Sequence, residues 1–327
     1  MKCLVLDYGG TFIKYSVMDE QKNRYEKGEV PAPIDTLENF IQVTKALYGQ
    51  FRGQVEGVTI SFPGFVDSET TFLSGGGAYY NILINRYLKE IFEECIDVPF
   101  VIENDGKCGA LAEAWGGALA GATCGAVVIF GTGIAGGLLQ NGKIYKGGHA
   151  TAGELSYLTL DWNMPMSGAA QFRCSASALI SKVAVAKGYP LKNFASLYVN
   201  SGVAAGWKHA EPNPALADQE MDGFKVFELL AAGDPDVVEI YDVFCKDVAS
   251  MLRSIQCIFD PERIAIGGGI SRQDRLVPDI EKAFLECGNY LTDMLPKPEI
   301  VRCQYQGDAN QYGAMYHYLT KYHPEML

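Results

Sequence analysis

The sequence predicts an α/β protein of two domains that share one plan, with a cleft between them. Three observations carry this expectation. The chain has 327 residues, room for about two domains of ordinary size. Short apolar runs ended by glycine alternate with helix-spaced segments along its length. One pattern also occurs twice: an apolar strand, a glycine-rich turn, a second strand and a polar turn, at 3–23 and again at 126–146.

Residues 3–6 read as a buried strand, interrupted by Asp7-Tyr8-Gly9-Gly10-Thr11. A second strand covers 12–18 and a polar turn 19–23. Leu37, Phe40, Ile41, Thr44 and Leu47 have helical spacing, so 36–48 is expected as a helix. Residues 55–62 form a strand ended by Pro63-Gly64, glycines 75–77 a loop, and 84–95 an amphipathic helix. A strand at 99–103 leads into Asn104-Asp105, and 110–120 is a strong helix by propensity. The pattern then recurs: strand 126–130, break at Gly131-Thr132-Gly133, strand 138–140, and a return strand 143–146 after Asn141-Gly142, the preferred pair for a tight hairpin. Residues 188–222 carry Pro190, Pro212 and Pro214 with little periodicity and read as a surface excursion. A long helix spans 237–259 and a strand 264–266, ended by Gly267-Gly268-Gly269. Ser271 starts a helix to about 287 with Asp274 as capping-box partner, and 313–322 is the last helix.

Composition narrows the function. Lysine and arginine number 27 against 39 aspartates and glutamates, a net charge of −12 that would repel a phosphate backbone, so no nucleic-acid partner is expected. No apolar run approaches the ~18 residues of a membrane helix, and the apolar stretch after Met1 is too short for a signal peptide. The nine cysteines are odd in number and form no C-x-x-C pair, which predicts reduced, mostly buried thiols in a cytoplasm rather than a disulfide framework. Four histidines support no metal cage.

Three glycine clusters are candidates for a phosphate or nucleotide site. Gly131-x-Gly133-x-x-Gly136 matches the dinucleotide fingerprint, but that fingerprint needs a helix after the glycines and here a hairpin comes next. Residues 137–143 match a phosphate-loop spacing, but Ile144 replaces the hydroxyl residue that would hold Mg²⁺. What remains is a glycine turn between strands, used twice. It lets backbone N–H groups approach phosphate oxygens, and Thr11 and Thr132 add hydroxyl donors. Each turn taken alone is also compatible with a plain hairpin. Asp7, just before the first turn, could hold Mg²⁺ through water. The third cluster, 267–269, would let a base or ribose lie against backbone; a tight strand-to-helix turn is the alternative.

Asn104-Asp105 closes a strand and opens a helix. Either residue suits an N-cap. The same placement suits catalysis: the helix dipole is expected to keep the Asp105 carboxylate ionised, so that it can take a proton from a substrate hydroxyl attacking a phosphoryl group. Asn104 would orient a second hydroxyl. Glu154, among small residues at 147–154, is reachable by a sugar's hydroxyl pair, or is simply solvated. His149 is expected to make a structural hydrogen bond.

On these residues the chain resembles the ROK family of sugar kinases, in the actin-like ATPase superfamily. Asp7-Tyr8-Gly9-Gly10-Thr11 resembles its first phosphate motif, Glu103-Asn104-Asp105 with Ala110-Leu111-Ala112-Glu113 its catalytic motif, and 131–137 with Asn141-Gly142-Lys143 its second phosphate motif. His149-Ala150-Thr151-Ala152-Gly153-Glu154 is similar to H-G-x-A-G-E. Asp260-Pro261 with 266–271 is similar to the adenosine motif.

The resemblance implies two actin-like (ribonuclease H-like) domains, residues 1–105 plus about 308–327 and residues 106–307, with the last helix folded back onto the first. It implies an ATP:hexose 6-phosphotransferase with ATP and Mg²⁺, working as a cytoplasmic homodimer. Asp105 is then the base. Asn104, Glu154, Tyr157 and Gly76 are sugar ligands. Asp7, Gly9, Gly10, Thr11, Lys14, Thr132 and Gly133 form the phosphate site, and Gly268 and Gly269 the adenosine site. Domain closure would exclude water.

Departures from the family pattern matter. Tyr157 stands where many members have a zinc- and sugar-binding histidine, the cysteine cluster is reduced to Cys174, Gln171 lies nearest a missing glutamate, and Lys107 replaces an asparagine. No structural zinc is expected. The expected substrate is a hexose of glucose, N-acetylmannosamine or β-glucoside type, its pocket shaped by 74–85 and 188–222. The rival is a non-catalytic sugar or nucleotide sensor.

Overall fold

The computed structural model describes residues 1–164, 166–190, 210–288 and 292–327; residues 191–209 of the expected excursion lie outside them. In chain order the elements begin with β1 (Lys2–Tyr8), β2 (Phe12–Asp19), β3 (Arg24–Pro31), α1 (Leu37–Gly49), β4 (Gly57–Phe62), β5 (Phe72–Leu73), α2 (Tyr80–Leu83), β6 (Arg86–Tyr87), α3 (Leu88–Glu93), β7 (Phe100–Asn104) and α4 (Asp105–Ala114). They continue with β8 (Cys124–Phe130), β9 (Ile134–Gln140), β10 (Lys143–Ile144), α5 (Ala170–Cys174), α6 (Ala176–Lys187), α7 (Gly223–Ala231), α8 (Pro235–Phe259), β11 (Arg263–Gly268), α9 (Leu276–Glu286), β12 (Glu299–Arg302) and α10 (Ala309–Tyr322). The chain divides into two compact units. Unit 1 is Met1–Thr123, Gly137–Gly153 and Gly307–Leu327; unit 2 is Cys124–Gly136 and Glu154–Gln306.

The repeated plan read from the sequence is present in the strand orders. One sheet runs β3-β2-β1-β4-β7 and the other β10-β9-β8-β11-β12. In the first, β1 and β2 are antiparallel and β4 and β7 join in parallel. In the second, β11 lies parallel between β8 and β12. A hairpin supplies the antiparallel strands, while each parallel neighbour needs a crossover that carries a helix.

Unit 1 is built around an aromatic core. Tyr8, Phe40, Phe62, Tyr79 and Phe92 pack with ring centroids 5.2 to 6.3 Å apart, and the buried Tyr8 hydroxyl is satisfied by Thr44 Oγ1 at 2.9 Å. The last helix does return to this unit: α10 packs on α4 so closely that a Cβ on Gly313 would lie 1.7 Å from the carbonyl oxygen of Cys108. Compactness therefore keeps α4 with the N-terminal sheet, whereas the sequence expectation cut the chain at 105.

Several elements differ from expectation. The helix read at 110–120 begins at Asp105, where Asn104 caps it, and stops at Ala114, before Gly116 at φ 119°. The helix read at 84–95 shrinks to α3, because Asn85 takes φ 58° and residues 86–87 pair with β5. Ser271 does not start α9. It lies in a 3₁₀ turn, Gly269–Arg272, its hydroxyl donates to the Gly268 carbonyl, and Asp274 pairs with Arg302 at 3.1 Å. The return strand read at 143–146 is only β10.

The elements missed in the sequence have a common cause in pattern. β3 is a charged edge strand, which blunts edge pairing but hides the strand signal. α6 is buried on nearly every side, so its sequence shows no apolar stripe. All nine cysteines are free; Cys257 and Cys287 are exposed and most of the rest buried. No described helix is long and apolar enough to cross a membrane.

Candidate functional site

The expected site residues fall into two groups, one in each unit. In unit 1 the β1–β2 register sets Asp7 opposite Lys14. The turn between them is closed by the Gly9 N–H donating to the Phe12 carbonyl at 3.0 Å. A Cβ on Gly10 would meet Ala78 Cβ at 3.2 Å, so the turn passes close to the loop just after the glycines at 75–77. The Tyr79 hydroxyl donates to the Gly9 carbonyl at 3.0 Å and ties the turn to the aromatic core. Gly10, Thr11 and Lys14 are exposed. Asp7 Oδ1 accepts from Ser61 Oγ at 2.8 Å and from Asn310 Nδ2 at 3.1 Å. Burial raises the Asp7 pKa, and these two hydrogen bonds and Lys14 oppose the rise. Asp7 Oδ2 has no hydrogen-bond partner among the described residues, so an oxygen donor remains that suits a hydrated divalent cation.

Asn104, not Asp105, is the N-cap of α4. Its Oδ1 accepts from the Lys107 N–H at 3.1 Å, with φ −61° and ψ 143°. Its Nδ2 donates to the Gly64 carbonyl at 2.8 Å and to Asp105 Oδ1 at 3.1 Å. Asp105 Oδ1 also accepts from the Gly106 N–H at 2.8 Å. Asp105 is less readily ionised than the helix dipole alone would make it. Burial pushes its pKa up from 3.8 to about 6, the Asp7 charge adds to the rise, and the Gly106 hydrogen bond and Lys107 only moderate it.

The glycine loop joins this group through Gly64. Phe65 N–H donates to the Gly75 carbonyl at 2.7 Å, and a Cβ on Gly64 would lie 2.8 Å from both the Gly75 and Gly76 carbonyls. Gly64 at φ 103° and Gly76 at φ 69° adopt backbone that suits glycine. Asn104 thus binds the carbonyl of the residue on which the loop carrying Gly76 rests. Unit 1 brings together Asp7, the 9–11 turn, the 75–79 loop, Asn104 and Asp105.

In unit 2 the turn after β8 is closed by the Gly131 N–H donating to the Gly133 carbonyl at 3.0 Å. Ser156 Oγ accepts from the Ile134 N–H at 2.8 Å and lies 3.0 Å from the Ile134 carbonyl. A Cβ on Gly133 would meet that hydroxyl at 3.0 Å, with Gln171 Oε1 at 3.7 Å. Thr132 is exposed and Glu154 half-buried. Tyr157, also exposed, has its pKa raised by partial burial and then by the Glu154 charge. Gly268 pairs with Phe130 across the sheet at φ 94°, and a Cβ there would lie 2.0 Å from the Phe130 carbonyl. A Cβ on Gly269 would meet nothing within 4 Å, so open space adjoins its backbone.

Two neighbouring residues depart from expectation or explain one. His149 is exposed and makes no hydrogen bond among the described residues, so its expected structural bond is absent. Lys107, in the family's asparagine position, is buried and donates through Nζ to the Ala150 carbonyl at 2.6 Å, a tie between α4 and the 147–153 segment. Cys174 is fully buried and its thiol is pushed well up. Among the described residues no group of three or more His, Cys, Asp or Glu side chains could hold a metal ion. Ser61, Asn310, Gly64 and Ser156 were not singled out from the sequence. Only Gly64 carried a signal, as the end of a strand.

The chain is similar to known proteins. A beta-glucoside kinase of Listeria innocua is 27% identical, covering 98% of each chain. A glucokinase of Halalkalibacterium halodurans is 28% identical over 85% of this chain and 84% of its own. The solved structure of a Listeria monocytogenes protein, provisionally an N-acetylmannosamine kinase, is 25% identical with a TM-score of 0.81, covering 98% of this chain and 99% of that one. The doubled sheet plan is that of the actin-like ATPase fold. The ROK family pattern matches residues 3–321. With glycine turns, the Asn104–Asp105 helix start and the Gly268 crossing all inside that span, the chain belongs to the ROK family.

Proposed function

We propose that this chain is an ATP-dependent sugar kinase that transfers the γ-phosphoryl of MgATP to the 6-hydroxyl of a hexose or hexose derivative of glucose, N-acetylmannosamine or β-glucoside type. One observation carries the reading: a carboxylate at the start of α4, oriented by Asn104 and raised to a pKa of about 6, matches the poise a general base needs near neutral pH. Asp105 takes the hydroxyl proton as that oxygen forms its bond to the γ-phosphorus and the bond to the ADP oxygen breaks. Asn104, Glu154, Tyr157 and the Gly76 loop position the sugar. The glycine turns at 9–11 and 131–133, with Thr11, Thr132 and Lys14, receive the phosphates, and the open backbone at Gly268 and Gly269 receives the adenosine. Asp7 would hold Mg²⁺ through water, the ion offsetting phosphate charge. The cytoplasmic location and homodimer implied by the family resemblance belong to the same proposal; the nine free thiols support the former.

The test is a coupled assay for ADP release with glucose, N-acetylmannosamine, N-acetylglucosamine, fructose and a phosphate-bearing β-glucoside. Turnover with at least one sugar, lost in Asp105→Asn, is expected. Measurable ATP binding with no turnover on any of them would favour the sensor reading instead.

A further inference from the structure

Unit 1 holds a cavity of about 650 Å³ whose lining includes none of the residues given a role in the proposed phosphoryl transfer. Three residues of its lining each carry a buried polar atom with no hydrogen-bond partner among the described residues: Ser68 Oγ, Glu103 Oε2 and His317 Nε2. Glu103 is 1% exposed, and only its other oxygen is engaged, by the Asn104 N–H at 2.8 Å. Buried polar atoms are nearly always paired, so three orphans on one cavity mark a place that a polar guest or water completes. A hydroxyl, a carboxylate oxygen and an imidazole nitrogen together match the alternating donors and acceptors of vicinal hydroxyl groups.

The lining also carries charge. Lys143, Lys146 and Lys321 contribute three ammonium groups, of which only Lys146 is ion-paired, to Glu69 at 2.8 Å. Lys143 and Lys321 form no ion pair among the described residues. Tyr145, 47% exposed, adds an aromatic wall of the kind that packs on the apolar face of a polyol. We propose that this cavity is a binding site for a phosphorylated polyol, its hydroxyls on Ser68, Glu103 and His317 and its phosphate on Lys143 and Lys321. Glu103, Gly142 and Lys143 belong to the family motifs, but none of them has a role in the proposed phosphoryl transfer, so this site would stand if that reading failed.

The test is calorimetric titration of the intact chain with sorbitol 6-phosphate, glucose 6-phosphate, sorbitol and inorganic phosphate. The sugar phosphates should bind more tightly than sorbitol or phosphate alone. Removing two unpaired and one paired ammonium group, in the triple variant Lys143→Ala, Lys146→Ala, Lys321→Ala, should weaken sugar-phosphate binding roughly tenfold. Lys143 and Lys321 are exposed and Lys146 is half-buried, so the fold should be retained, checked by an unchanged melting transition. Asp105→Asn should leave this binding within about twofold, which separates it from product binding at the kinase site. The proposal is overturned by no saturable binding at millimolar ligand, by inorganic phosphate binding as tightly as the sugar phosphates, by the triple variant binding like wild type, or by loss in Asp105→Asn alone.

Discussion

Asp105→Asn tests the site through stability as well as turnover. Raising a carboxyl from 3.8 to about 6 means the folded state disfavours its ionised form by ~3 kcal/mol. The sign comes from proton counting. Between those two values the folded chain holds a proton on Asp105 that the unfolded chain has released. Stability from this group is therefore fully present below pH 3.8 and is lost as pH rises through about 6. Asparagine cannot ionise, and its amide keeps the side chain polar and nearly isosteric. Relative to wild type, Asp105→Asn should gain stability as pH is raised, by up to ~3 kcal/mol above neutrality, while losing most kinase activity. Urea unfolding of both proteins at about pH 4.5 and about pH 8 measures the difference. The wild-type kcat/KM should rise with pH through an acid limb near 6, the direction expected when the base of the free enzyme must be ionised. A stability difference that does not change with pH, or an acid limb near the ordinary aspartate value, would refute the claim that burial raises this carboxyl. Activity near wild type in the variant would refute its role as base.

Close contacts elsewhere give further expectations. Gly313→Ala drives a Cβ to 1.7 Å from the Cys108 carbonyl and should lower stability by about 3 kcal/mol or more, read by chemical denaturation. Gly268→Ala adds a 2.0 Å approach to the Phe130 carbonyl to an unfavourable φ of 94°, and should likewise destabilise by ~3 kcal/mol while weakening nucleotide binding. Ser156→Ala removes the hydroxyl that receives the Ile134 N–H beside the second glycine turn. Loss of about 1–2 kcal/mol of local order there should appear as a several-fold rise in KM for ATP with a smaller change in kcat.

Much of the fold was legible because it rests on local patterns. The strands 3–6 and 126–130 are continuous apolar runs, and both glycine turns announce themselves beside them. Elements went unread where burial or charge erased the period, as in the all-round buried α6 and the charged β3. Helix limits moved where one residue's conformation decided them. Asn104 opened α4 five residues early, and Asn85 at φ 58° broke the helix read at 84–95.

For the site, the amino-acid order alone determined which residues carry chemistry: Asp7, the three glycine clusters, Asn104 and Asp105, each set at the end of a strand. It could also exclude the two commoner phosphate loops, because the few residues after each glycine cluster already spell a hairpin rather than a helix. Only the tertiary structure decided which partners tune them. Ser61 and Asn310 reach Asp7 from positions 54 and 303 residues away in the chain. Gly64 receives the Asn104 amide from 40 residues away. Burial, with the like charge of Asp7, then turned Asp105 from an ordinary helix-start carboxylate into one poised near neutrality. Desolvation and long-range contact depend on what packs around a group, and that is a property of the folded chain rather than of its neighbours in sequence.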